Sequence, residues 1–493
     1  MNRIEGTSPT GRVAENRSPS GATRATVEDG PPRSDRYHRA TLYITLIAAV
    51  AAIGGLLFGF DTGVIAGAML FIVPDFHLGP AEQGLVVGAV TFGALFGALV
   101  GGSWSDWLGR RRTNIVAGMS FIAGAVFSAL APDVDALIAS RVLIGLAIGL
   151  TSVAAPMYIA ELSPARNRGK LVSLFQLAVT AGILVSYIVD RALAPEHAWR
   201  WMLGLAFIPG ALLVLGMIAM PESPRWLLKK GAEKAARQAL ALVRRPEEID
   251  AEVKEIQEDL AHNQPAAWSE LLTPGLRPAL LVGVGLAVLQ QVTGINTIIY
   301  YAPQIFQEAG LGSANTALAA TIGIGVINVL STLIAIWLVD RIGRKPLLIA
   351  GLTGMTISLA VLGVDQRFGK ALGANPQWVA PITVGFVGLY IVCFAFSLGP
   401  IVWLMISEIF PNRARARAAA ISTAANWMAN FLVSLSFPVL QVMIGPSLWF
   451  LYAAMGVAAF IFVIGYVPET KGKSLEDISR QWRPEPAGIV ITQ

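Results

Sequence analysis

The chain has 493 residues, of which 54% are hydrophobic and only 14% charged, and its mean hydropathy is +0.60. Soluble globular proteins average about 25% charged residues, so the composition excludes an ordinary soluble domain and describes an integral membrane protein. The net charge of +5 is explained by where the basic residues fall rather than by a nucleic-acid partner, and the one cysteine, Cys393, permits no internal disulfide.

Residues 1–39 are rich in Ser, Pro, Gly and Arg and cannot bury enough apolar area to offset ordering, which predicts a disordered tail. The following apolar segment is too long for a cleavable signal peptide. Counting apolar runs of about 20 residues predicts twelve membrane spans. Spans 1 to 6 cover 41–70, 84–104, 113–131, 137–159, 171–190 and 201–220; spans 7 to 12 cover 277–306, 316–338, 346–364, 379–406, 417–443 and 447–467. Between the two sets, 221–276 is charged and helix-prone and reads as a cytoplasmic helical linker, with a second tail over 468–493. The domains are thus two six-span halves, 40–220 and 277–467.

Thirty-two of the 37 basic residues fall in the tails and in the loops after spans 2, 4, 6, 8 and 10. Arg191, Arg200, Arg367 and Lys370 lie in the opposite loops, and Arg141 lies inside span 4. Because loops rich in Lys and Arg stay inside, both termini are expected in the cytoplasm.

The halves repeat. "ELSPARNR" at 161–168 and "EIFPNRAR" at 408–415 both read E-x-x-P-x-x-x-R, and "PES" at 221–223 answers "PET" at 468–470, each pair 247 residues apart. "DWLGRRR" at 106–112 answers "DRIGRKP" at 340–346. Two parallel repeats of six spans, with a substrate held at midplane between them, form a transporter architecture. These motifs, with "PESPRWL" after span 6, "PETKG" after span 12 and "QQVTGINTIIYYAP" in span 7, resemble the sugar porter family of the major facilitator superfamily over about residues 41–475. The resemblance implies an all-α polytopic fold of twelve helices in the cell (plasma or inner) membrane, acting as a monomer on a monosaccharide by alternating access. It implies no cofactor beyond a coupling proton.

Span 1 carries one carboxylate, Asp61, about 30 Å along the helix, and span 4 carries Arg141 roughly 12 Å along in the opposite direction. The two charges therefore share a depth. Intramembrane charges pair or line a water-filled path, so Asp61 and Arg141 are expected to pair. A fixed salt bridge between helices is the plain structural reading; proton coupling is the functional one. Proton symporters of the family resemble this chain in having Asp in helix 1 and Arg in helix 4, whereas passive relatives commonly lack the acid.

Sugar hydroxyls call for neutral donors and acceptors, with an aromatic ring for the C–H face. The candidates are Gln176, Gln290, Gln291, Asn296, Asn328, Trp403, Asn426 and Asn430. Of these, Gln176, Gln290, Gln291, Asn296, Trp403 and Asn426 match family sugar contacts position by position; for any single amide the alternative is an interhelical hydrogen bond. Tyr300 and Tyr301 are expected as the extracellular lid, and Phe58 as a pocket wall or as packing. Ile183, where some xylose-type symporters carry glutamine, leans toward a hexose, while Ala395, where some hexose facilitators carry an acid, says little. Gly399 and Pro400 predict a hinge in span 10. Asp106, Arg110, Arg111, Glu161 and Arg168, with Asp340, Arg344, Lys345, Glu408 and Arg415, are expected to form a cytoplasmic electrostatic latch whose bonds depend on the access state.

The function these features imply is proton-coupled sugar symport, with glucose favoured and other hexoses, pentoses or myo-inositol open. A passive uniporter is the alternative, and a non-transporting sugar sensor a more distant one. An enzyme is not expected, because His38, His77, His197 and His262 fall in tails or loops, away from any nucleophile or metal set.

Overall fold

The structure, a computed structural model, describes residues 33–164, 167–262, 267–368 and 376–471. Both expected tails lie largely outside the described residues, as does the side chain of Asp340. All regular structure among the described residues is helical. Spans 1 to 5 are Arg33–Phe76, Pro80–Leu108, Arg110–Ala129, Val134–Leu162 and Arg168–Leu193. Span 6 is Trp199–Gly204 continued by Phe207–Ala219, and span 7 is Arg277–Val292 continued by Ile295–Phe306. Spans 8 and 9 are Ala314–Ile342 and Arg344–Phe368; span 10 is Pro376–Phe396 continued by Leu398–Glu408; spans 11 and 12 are Asn412–Ile444 and Leu448–Tyr466.

Helix 1 begins at Arg33, inside the segment expected to be a disordered tail to residue 39. Helix propagates at one hydrogen bond per residue from an established nucleus, so it extends beyond the apolar segment. Several spans outrun their apolar cores for the same reason, ending at caps rather than at polarity: Asp133 accepts the Ala136 N–H at the start of span 4, and Ser313 accepts that of Thr316 at the start of span 8.

Among its described residues the linker forms the α-helices Pro224–Lys229, Glu233–Ala241 and Pro246–His262 and a 3-10 turn, Trp268–Leu272. It binds the ends of spans 2 and 4: Trp226 Nε1 donates to the Asp106 carbonyl at 2.9 Å, and Arg244 donates to the Leu162 carbonyl at 2.9 Å. That end of the bundle is the linker face, and the opposite end is the far face.

The halves meet at the far face. Tyr187 of span 5 donates to the Ile299 carbonyl of span 7 at 3.0 Å. Phe92 of span 2 packs on Phe431 of span 11 with ring centroids 5.2 Å apart, and a Cβ built on Gly325 of span 8 would lie 3.3 Å from Leu184 Cα. Toward the linker face no hydrogen bond or ion pair joins the halves among the described residues. There, residues 171–178 of span 5 are partly exposed along their whole length, whereas the far-side Ile183, Ser186 and Tyr187 are buried. The bundle is closed on the far side and parted on the linker side.

Candidate functional site

Span 1 lies against span 5 with almost no gap. A Cβ on Gly59 would sit 1.8 Å from the Val179 carbonyl oxygen, so only glycine permits this approach. That packing sets the depth of Asp61, which is 3% exposed. Arg141, 1% exposed, donates from Nη1 to Asp61 Oδ1 at 3.4 Å and from Nε to the Val86 carbonyl of span 2 at 2.8 Å. A well-formed charge-assisted bond measures about 2.7–2.9 Å, so Arg141 is held tightly by Val86 and loosely by Asp61. Asp61 Oδ2 is buried with no partner among the described residues, which leaves one carboxylate oxygen able to take a proton.

A second buried carboxyl escaped the sequence reading. Asp190, near the end of span 5, accepts the Gly67 N–H of span 1 at 3.1 Å through Oδ2, and its Oδ1 has no partner among the described residues. The expected span 5 ends on Asp190, and Arg191, expected in a loop, lies within the helix. The Val86 carbonyl escaped too, because a backbone acceptor has no sequence signature.

Four of the candidate amides form one connected cluster. Gln290 Nε2 donates to the Leu398 carbonyl at 2.7 Å, and Gln290 Oε1 accepts from Asn426 Nδ2 at 2.7 Å and from Gln291 Nε2 at 3.2 Å. Gln291 Oε1 accepts from Asn296 Nδ2 at 2.7 Å, and Asn426 also donates to the Ala287 carbonyl at 2.9 Å. The cluster exists because span 7 breaks between Val292 and Ile295. Gly294 adopts φ +91° there, a left-handed conformation that side chains disfavour. Span 10 breaks at Ser397, with φ −121° and ψ −100°. This is just upstream of the expected hinge at Gly399 and Pro400, because the proline ring clashes with the carbonyl four residues earlier.

Asn430 lies one turn beyond Asn426 and donates to Tyr300 Oη at 3.4 Å. Tyr301 donates to the Ser434 carbonyl and packs on Phe437 at 4.6 Å. Both tyrosines are buried at the closed far side. The remaining candidates stand apart from the cluster: Gln176 is half-buried on span 5, Asn328 is buried on span 8, and Trp403 is 37% exposed one turn after Gly399. Trp427, which sequence reasoning passed over, is buried beside Asn426 with an Nε1 that has no partner among the described residues, and its ring lies 5.4 Å from Phe58 of span 1. Phe58 is one turn from Asp61, so this contact joins span 1 to span 11 across the two halves. Ile183 and Ala395 are both buried in the bundle.

At the linker face the repeated motifs build two matching networks. Arg110 donates to Asp106 at 2.9 Å and to Glu161 at 3.0 Å, while Lys229 of the linker reaches Asp106 at 2.9 Å and Ser223 donates to Glu161. In the second half Arg344 pairs with Glu408 at 3.0 Å, and Thr470 donates to Glu408 at 2.6 Å. Arg111 binds no carboxylate side chain through its guanidinium among the described residues, donating instead to the Met217 and Ile218 carbonyls. Arg415 bonds the Phe410 carbonyl, and Arg168 is exposed. Among the described residues these bonds run within each half or between the first half and the linker. The glutamates of "PES" and "PET" complete them: Glu222 accepts the Arg111 N–H at 3.0 Å, and Glu469 accepts those of Arg344 and Lys345 at 3.1 and 3.0 Å. Burial pushes the Glu469 carboxyl up, but the backbone N–H groups of Lys471, Arg344 and Lys345 outweigh it and hold it below the usual range.

The profile of the "Sugar (and other) transporter" family matches residues 47–482. The chain belongs to this family. The glucose transporter GlcP of Staphylococcus epidermidis is 43% identical over 440 residues, which cover 89% of this chain and 97% of that one. The galactose-proton symporter of Escherichia coli K12 is 41% identical over 443 residues, covering 89% of this transporter and 94% of its own length. The proton:xylose symporter XylE, solved with 6-bromo-6-deoxy-D-glucose bound, superposes with a TM-score of 0.76 at 35% identity, over 90% of the transporter and all of that chain. The transporter is a multi-pass membrane protein of the major facilitator fold.

Proposed function

We propose that the protein imports a monosaccharide, with glucose favoured, together with a proton by secondary active alternating access. Its setting is the plasma or inner membrane, with the linker face and both termini in the cytoplasm. The observation that carries this reading is the buried, loosely held Asp61–Arg141 pair, set in a bundle whose other half holds the amide cluster. The basic residues of the linker side support the orientation, and relatives named for glucose, galactose with proton, and xylose with proton support the substrate class. No resident cofactor is required; the proton is the coupling ion.

A proton on Asp61 Oδ2 removes the charge that holds Nη1, while Val86 keeps Arg141 anchored through Nε. Span 1 is then free to move relative to spans 2 and 4. Gln290, Gln291, Asn296 and Asn426 supply donors and acceptors that can exchange their mutual bonds for sugar hydroxyls. Trp427 Nε1 adds a donor, and Gln176, Asn328, Asn430 and Trp403 complete the contact set as the halves close on the linker side. One proton crossing 100 mV contributes about 2.3 kcal/mol, enough for roughly fifty-fold accumulation.

Substituting Asp61→Asn tests the coupling. In proteoliposomes, sugar accumulation driven by a pH gradient is expected to vanish while sugar exchange continues. An Asp61→Asn protein that still accumulates sugar refutes the assignment, and a native protein that moves sugar without protons is a uniporter.

A further inference from the structure

Spans 7 and 12 touch one turn inward of Tyr466 and part toward the linker face. At the point of contact the Phe462 ring lies across Gly285, where an added Cβ would meet it at 2.4 Å. Eight residues nearer the linker, about 12 Å along the helix, Arg277 opens span 7. The two helices leave a lateral cleft of about 510 Å³ between them, lined by Arg277, Pro278, Leu281, Val282 and Tyr466. Val282 is the buried floor, whereas Leu281 and Tyr466 are 52% and 59% exposed and open the cleft sideways to the hydrocarbon. Phe462 and Tyr466 lie against each other with centroids 5.3 Å apart.

The lining is apolar except at its linker-side end, where it carries one cation, Arg277. Arg277 donates from Nε to the Leu272 carbonyl, which fixes the guanidinium in place. Its terminal Nη groups carry no bond and no ion pair among the described residues. A planar guanidinium held by one edge offers its other donors to a phosphodiester in bidentate geometry, and a tyrosine at this level is an interfacial anchor. A groove that is apolar below and cationic at the headgroup level complements a phospholipid with net negative charge.

We infer that the cleft between spans 7 and 12 binds one anionic phospholipid of the linker-side leaflet. Its phosphate sits on Arg277, and the first half of an acyl chain lies over Leu281 and Val282. Assigning that leaflet to the cytoplasm rests on the orientation proposed above; the binding itself does not depend on which solute is carried.

Native mass spectrometry of the full purified chain, titrated in detergent with phosphatidylglycerol and in parallel with phosphatidylcholine, tests this. The native protein is expected to take up one phosphatidylglycerol more tightly than phosphatidylcholine. Arg277→Gln should weaken that uptake about fivefold, on the order expected for one interfacial cation, and leave phosphatidylcholine unchanged. Leu281→Trp, which fills the cleft, should lose the tight phosphatidylglycerol while Arg277 is intact. Arg341→Gln removes a charge at the same face, from a guanidinium stacked on Trp337 at 3.9 Å, and should have no effect. Equal affinity for the two lipids, unchanged binding in Arg277→Gln, or an equal loss in Arg341→Gln overturns the inference. Asp61→Asn should bind the lipid normally, so failure of the coupling reading and failure of this one are separable.

Discussion

Glu222 and Glu469 each hold the first turn of a membrane span by accepting backbone N–H groups, the role of a helix cap delivered from a distant segment. Because the folded-state Glu469 carboxyl lies below its usual range, ionisation stabilises the fold at neutral pH. That contribution is present above the unfolded value, about 4.3, and is lost as pH falls through the lower folded one. Glu469→Ala is therefore expected to cost about 1 kcal/mol at pH 7 and progressively less in acid, read as a thermal shift across pH. A deficit that persists undiminished below the carboxylate range contradicts the cap. At this scale the sequence was partly legible. Asp61 and Arg141 stood out because each is a lone charge at one depth, and the structure places them in contact. Asp190 did not stand out, since a carboxylate at a span end looks like loop chemistry until its burial is seen. The "PES" and "PET" repeat was visible without its meaning, because backbone N–H donors leave no pattern in side-chain identity.

The broken spans show what hydropathy hides. Span 7 reads as one apolar run, since glycine is common in membrane helices, and nothing local distinguishes Gly294 from its neighbours. The Tyr452 ring lies 3.1 Å from where a Cβ on Gly294 would be, so both conformation and space require glycine there. Gly294→Ala should impose roughly 1–2 kcal/mol of left-handed strain and shift Gln290 and Gln291 relative to Asn296. Equilibrium binding of radiolabelled glucose is expected to weaken about tenfold, and unchanged binding would show that the break does not position the amides. Span 10 was more legible, because Pro400 announces a break and only its displacement to Ser397 needed the structure. The boundaries of span 1 were the least legible, because a helix continues past the apolar segment that nucleates it.

The two halves, their motifs and their parallel repeat could be read from residue spacing, but the access state could not. It is set by contacts between residues of spans more than a hundred positions apart, such as Tyr187 with Ile299 and Leu184 with Gly325. Alternating access requires these far-side contacts to separate in each cycle. In a chain with Cys393→Ser, cysteines placed by Leu184→Cys and Gly325→Cys have the closeness a disulfide needs. Oxidation should stop sugar uptake and reduction should restore it. Full uptake by the cross-linked protein would mean that the far side does not open there.

Gly55, Gly59, Gly63 and Gly67 bring span 1 against Phe175, Val179, Ile183, Ser186 and Asp190 of span 5 from one end to the other. Two helices so fused have no play between them. When Asp61 loses its hold on Arg141, any shift of span 1 is delivered undiminished to Gln176, which neighbours the Gly55 contact at Phe175. Tightness of coupling between proton and sugar is thus a matter of mechanical slack. A stripe of absent side chains removes that slack, so larger residues along it should produce leaky transporters before they produce inactive ones.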